Sequence, residues 1–399
     1  MPQTTARSFD LIVWGATGFT GRLVAEAVAH AAPAGFEWAV AGRDAERLKA
    51  VRDAVAPAAA VVVADVDDPA SLAALARSTR AVVTTVGPYA RFGTPLVAAC
   101  VAAGTHVADI TGEPTWIRSV VDRFDAPARA AGVRVVPACG FDSVPSDLGV
   151  WWLQQRALER FGRPCDRIDH VFGPMAGGVS GGTVASMVAL FEDALADPAA
   201  RRQLGDRDLL APGSTPAVAV HDPLAPHREA VAGGWSVPFP MAAVNARVVR
   251  RTRALLSEPW GEGFAYRERW RFANWPTAAA VAMVQALAPV ALAIAPVRRA
   301  LARRIPAGAG PDAETRRRGS FRTTLIGRVE GEANPLVGRV ACDLDPGYVA
   351  TARMLAAMGI GLATDAFAGS PTGVVTPAVV GGSAYVARLE AAGIRFELV

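Results

Sequence analysis

Lysine is almost missing from this chain. Lys49 is the only one in 399 residues, and arginine supplies every other basic side chain except histidine. A mechanism that needs a lysine anywhere but position 49 is therefore excluded. Cysteine is scarce too: Cys100, Cys139, Cys165 and Cys342 show no CxxC spacing, which reads as reduced thiols with neither a disulfide framework nor a zinc site. His221 and His227 lie in a proline-rich loop without metal-ligand spacing, and His106 precedes a strand as a structural residue. No metal is expected. The opening MPQTTARSFD has no basic n-region and no apolar h-region, so the expected location is cytoplasmic. A basic surface spread over a domain is also missing. The net charge is +4, but Arg298–Arg322 holds eight arginines against Asp312 and Glu314, or +6, leaving −2 for the rest. One local patch of this kind argues against a nucleic-acid partner.

What is present is an ordinary globular composition, 51% hydrophobic and 20% charged, at a length that favours two domains. Apolar runs at Phe9–Trp14, Phe36–Ala41, Ala60–Ala64, Ala81–Val86, Thr105–Ile110 and Val133–Pro137 alternate with helical stretches, one of them capped by Ser71. That alternation predicts an α/β fold, a Rossmann-type doubly wound parallel sheet over residues 1–150. It requires the first strand to have parallel partners on the Ala60 and Ala81 strands. Residues 151–345 read as a second α+β substrate domain. Its strands are expected at Ile168–Met175, Phe264–Ala273 and a hairpin of Phe321–Val329 with Val337–Leu344. A glycine-rich turn, Gly177–Gly182, leads into a helix to Leu195, and 197–240 reads mostly as loop. Residues 346–399, opening with a Tyr348–Leu362 helix, are expected to return and pack on the first domain.

Gly15-Ala-Thr-Gly-Phe-Thr-Gly21 follows the first strand and opens a helix inside a βαβ unit, the context a dinucleotide loop needs. Gly15 permits the tight turn, Gly18 admits a pyrophosphate to the helix N-terminus, and Gly21 allows close helix–strand packing. Gly15, Thr17, Gly18, Phe19 and Thr20 are the loop's candidate cofactor residues. The second strand ends in Gly42-Arg43-Asp44. An NAD site would place a carboxylate there for the ribose 2′-OH, whereas Arg43 offers a guanidinium fork to a 2′-phosphate. Asp44 is left as a helix cap, and Asp65 ends the third strand near the adenine. The expected cofactor is NADPH.

In a doubly wound sheet the ligand lies beyond the carboxyl ends of the strands. Polar residues occur there in Gly87-Pro88-Tyr89, Asp109–Glu113 and Phe141–Asp147. Gly87 and Pro88 are assigned to the cofactor. Three roles stay open for Tyr89: donating a proton, bonding a substrate carbonyl, or packing on the cofactor. Asp142 has the strongest claim to face substrate. Glu113 is a second carboxylate candidate, with a plain helix-start role equally open. Capping accounts for Ser146 or Asp147.

GATGFTG, AGRD, VGPYARFG, DITGEP and CGFDSVPSDLG, with the C-terminal DPGYVATARML, GVVTPA and ARLEAAGIRFEL, resemble the saccharopine dehydrogenase-like oxidoreductases. They are most similar to the trans-acting enoyl reductase branch. The resemblance spans both ends of the chain and is weakest over 197–320. It implies a Rossmann domain, an α/β substrate domain and a C-terminal return. It also implies NADPH reduction of a carbon–carbon double bond on a small-molecule or carrier-linked acyl or polyketide substrate of lipid type. The lysine-containing pair of lysine-forming saccharopine dehydrogenases cannot exist here, nor can the Tyr-x-x-x-Lys pair of short-chain dehydrogenases. Other readings stay open: an NADP-binding regulatory or lipid-surface protein without turnover, or a saccharopine-type amino-acid dehydrogenase.

Thr277–Val297 carries no charge over nearly the length of a membrane span, and Arg298, Arg299, Arg303 and Arg304 follow. Alanine dominates, and Pro289 and Pro296 interrupt the run. Three readings stand: a contact lying on an anionic membrane surface, which would make the protein peripheral on the inner face; a helix walling an acyl cavity; or a buried helix of the second domain.

Overall fold

The computed structural model describes residues 7–176, 192, 194–195, 197–216, 218, 220, 222–257, 259–298 and 312–399. The expected Gly177–Gly182 turn and most of the helix after it lie outside these residues, as do His221, Arg299, Arg303 and Arg304. The chain forms two compact units. The first comprises residues up to Thr111, Trp116–Gly140 and Thr351–Ala392; the second comprises Gly112–Thr115, Phe141–Ala350 and Gly393–Val399.

In the first unit, the strands are β1 (Phe9–Trp14), β2 (Trp38–Gly42), β3 (Ala60–Val63), β4 (Thr79–Thr84), β5 (His106–Asp109) and β6 (Arg134–Val136). They alternate with α1 (Phe19–Ala31), α2 (Ala45–Val55), α3 (Pro69–Ser78), α4 (Tyr89–Ala103) and α5 (Pro114–Ala130). These strands and a further short one, Gly373–Val374 (β13 in chain order), form a sheet ordered β13-β6-β5-β4-β1-β2-β3. All of its pairings are parallel. Near-continuous apolar runs such as Leu11-Ile12-Val13 suit strands covered on both faces. The first strand lies between β2 and β4, so of its two expected partners only the Ala81 strand is a direct neighbour. The Ala60 strand joins one place further out, through β2, because each right-handed crossover adds the next strand outward.

Two caps define the helices behind the loops. Asp44 accepts from the Arg47 amide at 3.0 Å at the start of α2. Asp68, not Ser71, caps α3 by accepting from Ala70, with Pro69 in the first turn. Ser71 lies inside the helix, where its hydroxyl is engaged with the backbone of Asp65.

The second unit is built on a mixed sheet. It contains α6 (Val144–Phe161), β7 (Arg167–Ala176), α7 (Pro198–Gly205), β8 (His227–Arg228), β9 (Trp235–Pro238), α8 (Ala242–Leu255), β10 (Ala265–Phe272), α9 (Trp275–Ala293), α10 (Ala313–Arg317), β11 (Ser320–Arg328) and β12 (Leu336–Cys342). The sheet order is β14-β12-β11-β7-β10-β9-β8, with β14 formed by Arg395–Leu398. The β7–β10 pair is parallel and every other pairing is antiparallel. The hairpin expected near 321–344 is β11–β12. Within 197–240, α7, β8 and β9 interrupt the loop.

A π-turn, Pro346–Ala350, precedes α11 (Thr351–Ala363); α12 (Pro377–Ala391) follows and is kinked at Gly382. The division between units falls after Gly140 and Ala350 rather than at 150 and 345, and α6 belongs wholly to the second unit. The return is also not complete. Residues 393–399 leave the first unit, and their alternating RFEL buries Phe396 as an edge strand on β12. The apolar segment is a helix but not a buried one: Met283, Val284, Leu287 and Val290 of α9 are all exposed.

Helix α11 packs on β1 and β4 through Gly359, where an added Cβ would lie 2.5 Å from Val83 Cγ1 and 3.1 Å from Leu11 Cδ1. Since interiors are close-packed, this contact does not tolerate an extra methyl without displacement. Gly359→Ala is expected to destabilise the protein by about 1–3 kcal/mol in urea unfolding. Gly205→Ala, where a Cβ meets nothing within 4 Å, should stay within about 0.5 kcal/mol. Equal effects of the two would contradict the packing described.

Candidate functional site

The parallel register brings the carboxyl ends of β1, β2, β3 and β4 to one edge of the first sheet. Gly15–Thr20, Arg43, Asp65 and Gly87-Pro88 follow those ends in turn. Gly15 has φ +87° and sits so close to β4 that a Cβ would reach 2.6 Å from Val86 Cγ2. At Gly21 a Cβ would lie 2.0 Å from the Gly15 carbonyl oxygen, so helix α1 starts against the turn only because position 21 is glycine. Gly18 caps the helix without a side-chain hydrogen bond. A Cβ there would meet only the Gly15 oxygen, at 3.3 Å, leaving the N-terminal end of the helix open to a ligand. This is the setting in which backbone amides and the helix dipole hold a phosphate.

Gly42 brings the second strand's end to the same place, since a Cβ on it would lie 3.9 Å from the Thr17 hydroxyl. Arg43 is exposed there and has no partner among the described residues, while the neighbouring Asp44 is occupied by its capping bond. Asp65 is half-buried and accepts from the Asp67 amide at 3.1 Å. Gly87–Pro88 is a cis peptide that leads directly into α4. These residues fit a dinucleotide phosphate at the helix start and an extra anion beside Arg43.

Of the catalytic candidates, Tyr89 belongs to the first unit and Glu113 and Asp142 to the second. Tyr89 is 5% exposed; its hydroxyl donates to the Thr84 carbonyl at 3.2 Å and accepts from the Ile110 amide at 3.4 Å. Its ring packs against Trp116 at 5.3 Å between centroids. In this structure the phenol joins the ends of β4 and β5. Asp109 works similarly: its carboxylate accepts from Thr111 at 2.8 Å and Ala138 at 3.3 Å, tying β5 to the turn after β6. His106 Nδ1 accepts from the Arg134 amide at 3.0 Å, and burial lowers its pKa to about 4. Glu113 is buried in the second unit. Asp142, in the same unit, keeps some surface yet is enclosed enough that burial pushes its carboxyl up to about 6.

A group that the sequence did not single out lies behind Asp142 in the chain. The β7–β10 register sets Glu268 beside His170 on one face, and period two puts Tyr266 on that face as well. The Tyr266 hydroxyl donates to Glu268 Oε1 at 2.6 Å and lies 3.2 Å from His170 Nδ1. Asn245 of α8 donates to Glu268 Oε2 at 3.0 Å and accepts from the Ser143 hydroxyl at 3.0 Å. Ser146 Oγ is 3.4 Å from His170 Nδ1, and Thr252 bonds Asp147. With Tyr266 donating to Glu268, the His170 tautomer that fits carries its proton on Nδ1. Nε2 is then a buried acceptor with no partner among the described residues.

Aromatic rings close this group off from water. Phe172 packs on the His170 ring at 4.4 Å and stacks on Phe239 at 3.9 Å. Burial lowers His170 to about 3 and pushes Glu268 up to about 7, the latter against hydrogen bonds from Tyr266, Ser146 and Asn245 that favour the charged form. Tyr266 is raised well above its ordinary value, first by burial and then by the Glu268 charge. The arrangement holds a proton near neutral pH in a dry environment. The signal available in the sequence was AYRERWRF, a strand whose buried positions include a tyrosine and a glutamate.

A glycine-rich dinucleotide loop, a parallel sheet in this order and an arginine at the second strand define a Rossmann dinucleotide-binding fold. Residues 11–136 match the saccharopine dehydrogenase NADP binding domain family. Over 412 residues, covering 98% of both chains, the protein is 41% identical to a Mycobacterium tuberculosis protein provisionally named a trans-acting enoyl reductase. Trans-acting enoyl reductases of Mycobacterium bovis and Mycobacterium leprae are each 37% identical, with 97% of both chains covered. Saccharopine dehydrogenase (L-Glu forming) from Saccharomyces cerevisiae shares the fold, with a TM-score of 0.54 at 13% identity over 98% of this chain and 99% of that one. The chain belongs to the saccharopine dehydrogenase NADP-binding family and is an NAD(P)-binding oxidoreductase.

The buried group makes stability depend on pH in a defined sense. Folded Glu268 retains a proton that the unfolded chain has released between about pH 4.5 and about 7, so its contribution to stability falls as pH rises through that window. His170 acts oppositely: its folded pKa lies below 6.5, so stability is lost as pH falls from 6.5 towards about 3. Glu268→Gln removes only the first effect. The variant should gain on the native protein from pH 4.5 to 7, by on the order of a few kcal/mol in all, and the difference should stay level above pH 7. A difference in urea unfolding free energy that ignores pH would show that Glu268 titrates normally.

Proposed function

We propose that this chain is a trans-acting enoyl reductase, using NADPH to reduce a carbon–carbon double bond in an acyl or polyketide chain of lipid type. The observation that carries this reading is the likeness, at 37–41% identity and over 97–98% of each chain, to mycobacterial relatives bearing that name. The geometry supports it. Gly15–Thr20 and the start of α1 would hold the pyrophosphate, Arg43 the 2′-phosphate, Asp65 the adenosine side, and Gly87-Pro88 the nicotinamide side. NADPH, when bound, supplies two electrons and one hydrogen.

The second hydrogen arrives as a proton, and a carboxyl protonated near neutral pH is the kind of group that supplies one. Asp142 and Glu268 are carboxyls raised by burial towards neutrality, in the range that suits proton transfer at physiological pH. Tyr266 and Asn245 orient Glu268 through both of its oxygens. Lys49, the single lysine of the sequence, is exposed on α2 and paired with Glu46 at 2.8 Å, which speaks against lysine chemistry. That disfavours a saccharopine-type amino-acid reaction dependent on a lysine.

Consumption of NADPH by the purified protein, followed across a panel of free and carrier-linked enoyl thioesters, tests the reaction. Substrate-dependent oxidation with saturation of the double bond is expected. Stoichiometric NADPH binding without turnover on any member would favour a regulatory protein instead. In fluorescence titrations the native protein should bind NADPH more tightly than NADH, and Arg43→Ala should narrow that preference by roughly 10- to 100-fold, the value of one charge-assisted contact. Equal affinity of the native protein for both would remove the role given to Arg43.

A further inference from the structure

Helix α9 is apolar on every side, and its bulkier side chains face solvent while its smaller ones face the sheet. From Trp275 to Val297 the chain has no charged side chain, and its mean hydropathy reaches 1.6 with 6% of the window buried. The face turned to the unit's own sheet is made of small residues: Ala278 and Ala282 pack with Val281 on Val237, Trp235, Trp270 and Phe272. Gln285, one turn on, donates to the Pro238 carbonyl at 3.0 Å. The large side chains point away. Met283 is 64% exposed, Val284 67%, Leu287 58%, Val290 65% and Ile294 51%. Scattered apolar residues on a surface need no explanation, but a continuous stripe along several turns marks a contact surface.

We propose that this outward face of α9 docks on an anionic lipid surface. The helix is attached along its inner side to β9 and β10 and is interrupted by Pro289, so it lies in the interface instead of crossing it. Charge complementarity selects the occupant. In the sequence, the chain leaving the helix carries Arg298, Arg299, Arg303 and Arg304, with no acidic residue before Asp312. Arg298 is partly engaged, donating to Glu192 at 3.1 Å and to the carbonyls of Leu292 and Ala293. The three that follow it in the sequence add positive charge directly after an apolar segment, the combination that binds headgroups and acyl chains together. Trp275, 51% exposed at the other end, is a residue type that favours the bilayer interface. The inference rests on this helix and the arginines that follow it in the sequence, and it stands whether or not the chain is an enoyl reductase.

Flotation of the full-length protein with vesicles of phosphatidylcholine and phosphatidylglycerol, beside vesicles of phosphatidylcholine alone, tests it. Binding is expected on the anionic vesicles at low ionic strength and should weaken with salt. An arginine near an anionic surface contributes about fivefold to affinity, so replacing Arg299, Arg303 and Arg304 with Gln should weaken binding on the order of a hundredfold. Val284→Glu with Leu287→Glu changes exposed positions only, and should abolish flotation while leaving the circular dichroism and NADPH affinity of the protein unchanged. Failure of the native protein to bind anionic vesicles at low salt overturns the proposal. So does binding that survives the two glutamates. A dimer in solution that the same glutamates dissociate, without vesicle binding, would assign the face to a second copy of the chain and overturn it as well.

Discussion

The close approach of Gly21 to the Gly15 carbonyl is the contact on which the first unit's chemistry depends. A side chain at Gly21 would force the turn and the helix apart, and one at Gly15 would strike Val86. With neither present, α1 begins directly behind β1, and its amide end opens at the carboxyl edge of the sheet. The parallel register then does the rest. Because β1, β2, β3 and β4 run the same way, residues separated by dozens of positions arrive at one edge: the glycine loop, Arg43, Asp65 and Gly87-Pro88. Nothing about their order in the sequence would group them without that topology.

The second unit works under a different constraint, the cost of burying charge. Glu268, His170 and Tyr266 lie out of water, where an unpaired ionised group is strongly unfavourable. The structure meets that cost in two ways: bonds from Tyr266 and Asn245 to both oxygens of Glu268, and displaced protonation of Glu268 and His170. A similar solution holds Arg269 on the same strand, fully buried and bonded to Asp222 and to the Ser236 hydroxyl and carbonyl. Arg247 and Arg251 on α8 donate to carbonyls of residues 204–210, fastening that segment to the helix. In this unit arginine replaces apolar packing as the means of fixing loops.

That substitution explains what the sequence made legible and what it hid. The strands of the first sheet are continuous apolar runs with glycine turns, so Phe9–Trp14, the loop after it and Arg43 were readable directly. Buried arginines at 247, 251 and 253 broke the apolar periodicity of α8, and charged residues at buried positions obscured the partners on β10. His170, Asn245 and Glu268 meet only through strand pairing and helix docking, which no local spacing records. Gly373–Val374 is too short for a periodic signal, and it becomes a strand because the edge of β6 is available to it. In the same way, RFEL at the C-terminus is too short for its alternation to announce a strand, and it takes its place by pairing with β12. Tyr89 was legible as a residue after the fourth strand, but its bonds to Thr84 and Ile110 follow from β4 and β5 being neighbours.

Amide hydrogen exchange, measured by mass spectrometry with and without saturating NADPH, reads the cofactor edge most directly. Binding at the carboxyl ends of the first sheet should slow exchange in peptides spanning Gly15–Arg22 and Gly42–Asp44, with smaller changes in the helices behind them. Unchanged exchange over Gly15–Arg22, or slowing spread evenly through the chain, would contradict a phosphate site built on the Gly15–Gly21 contact.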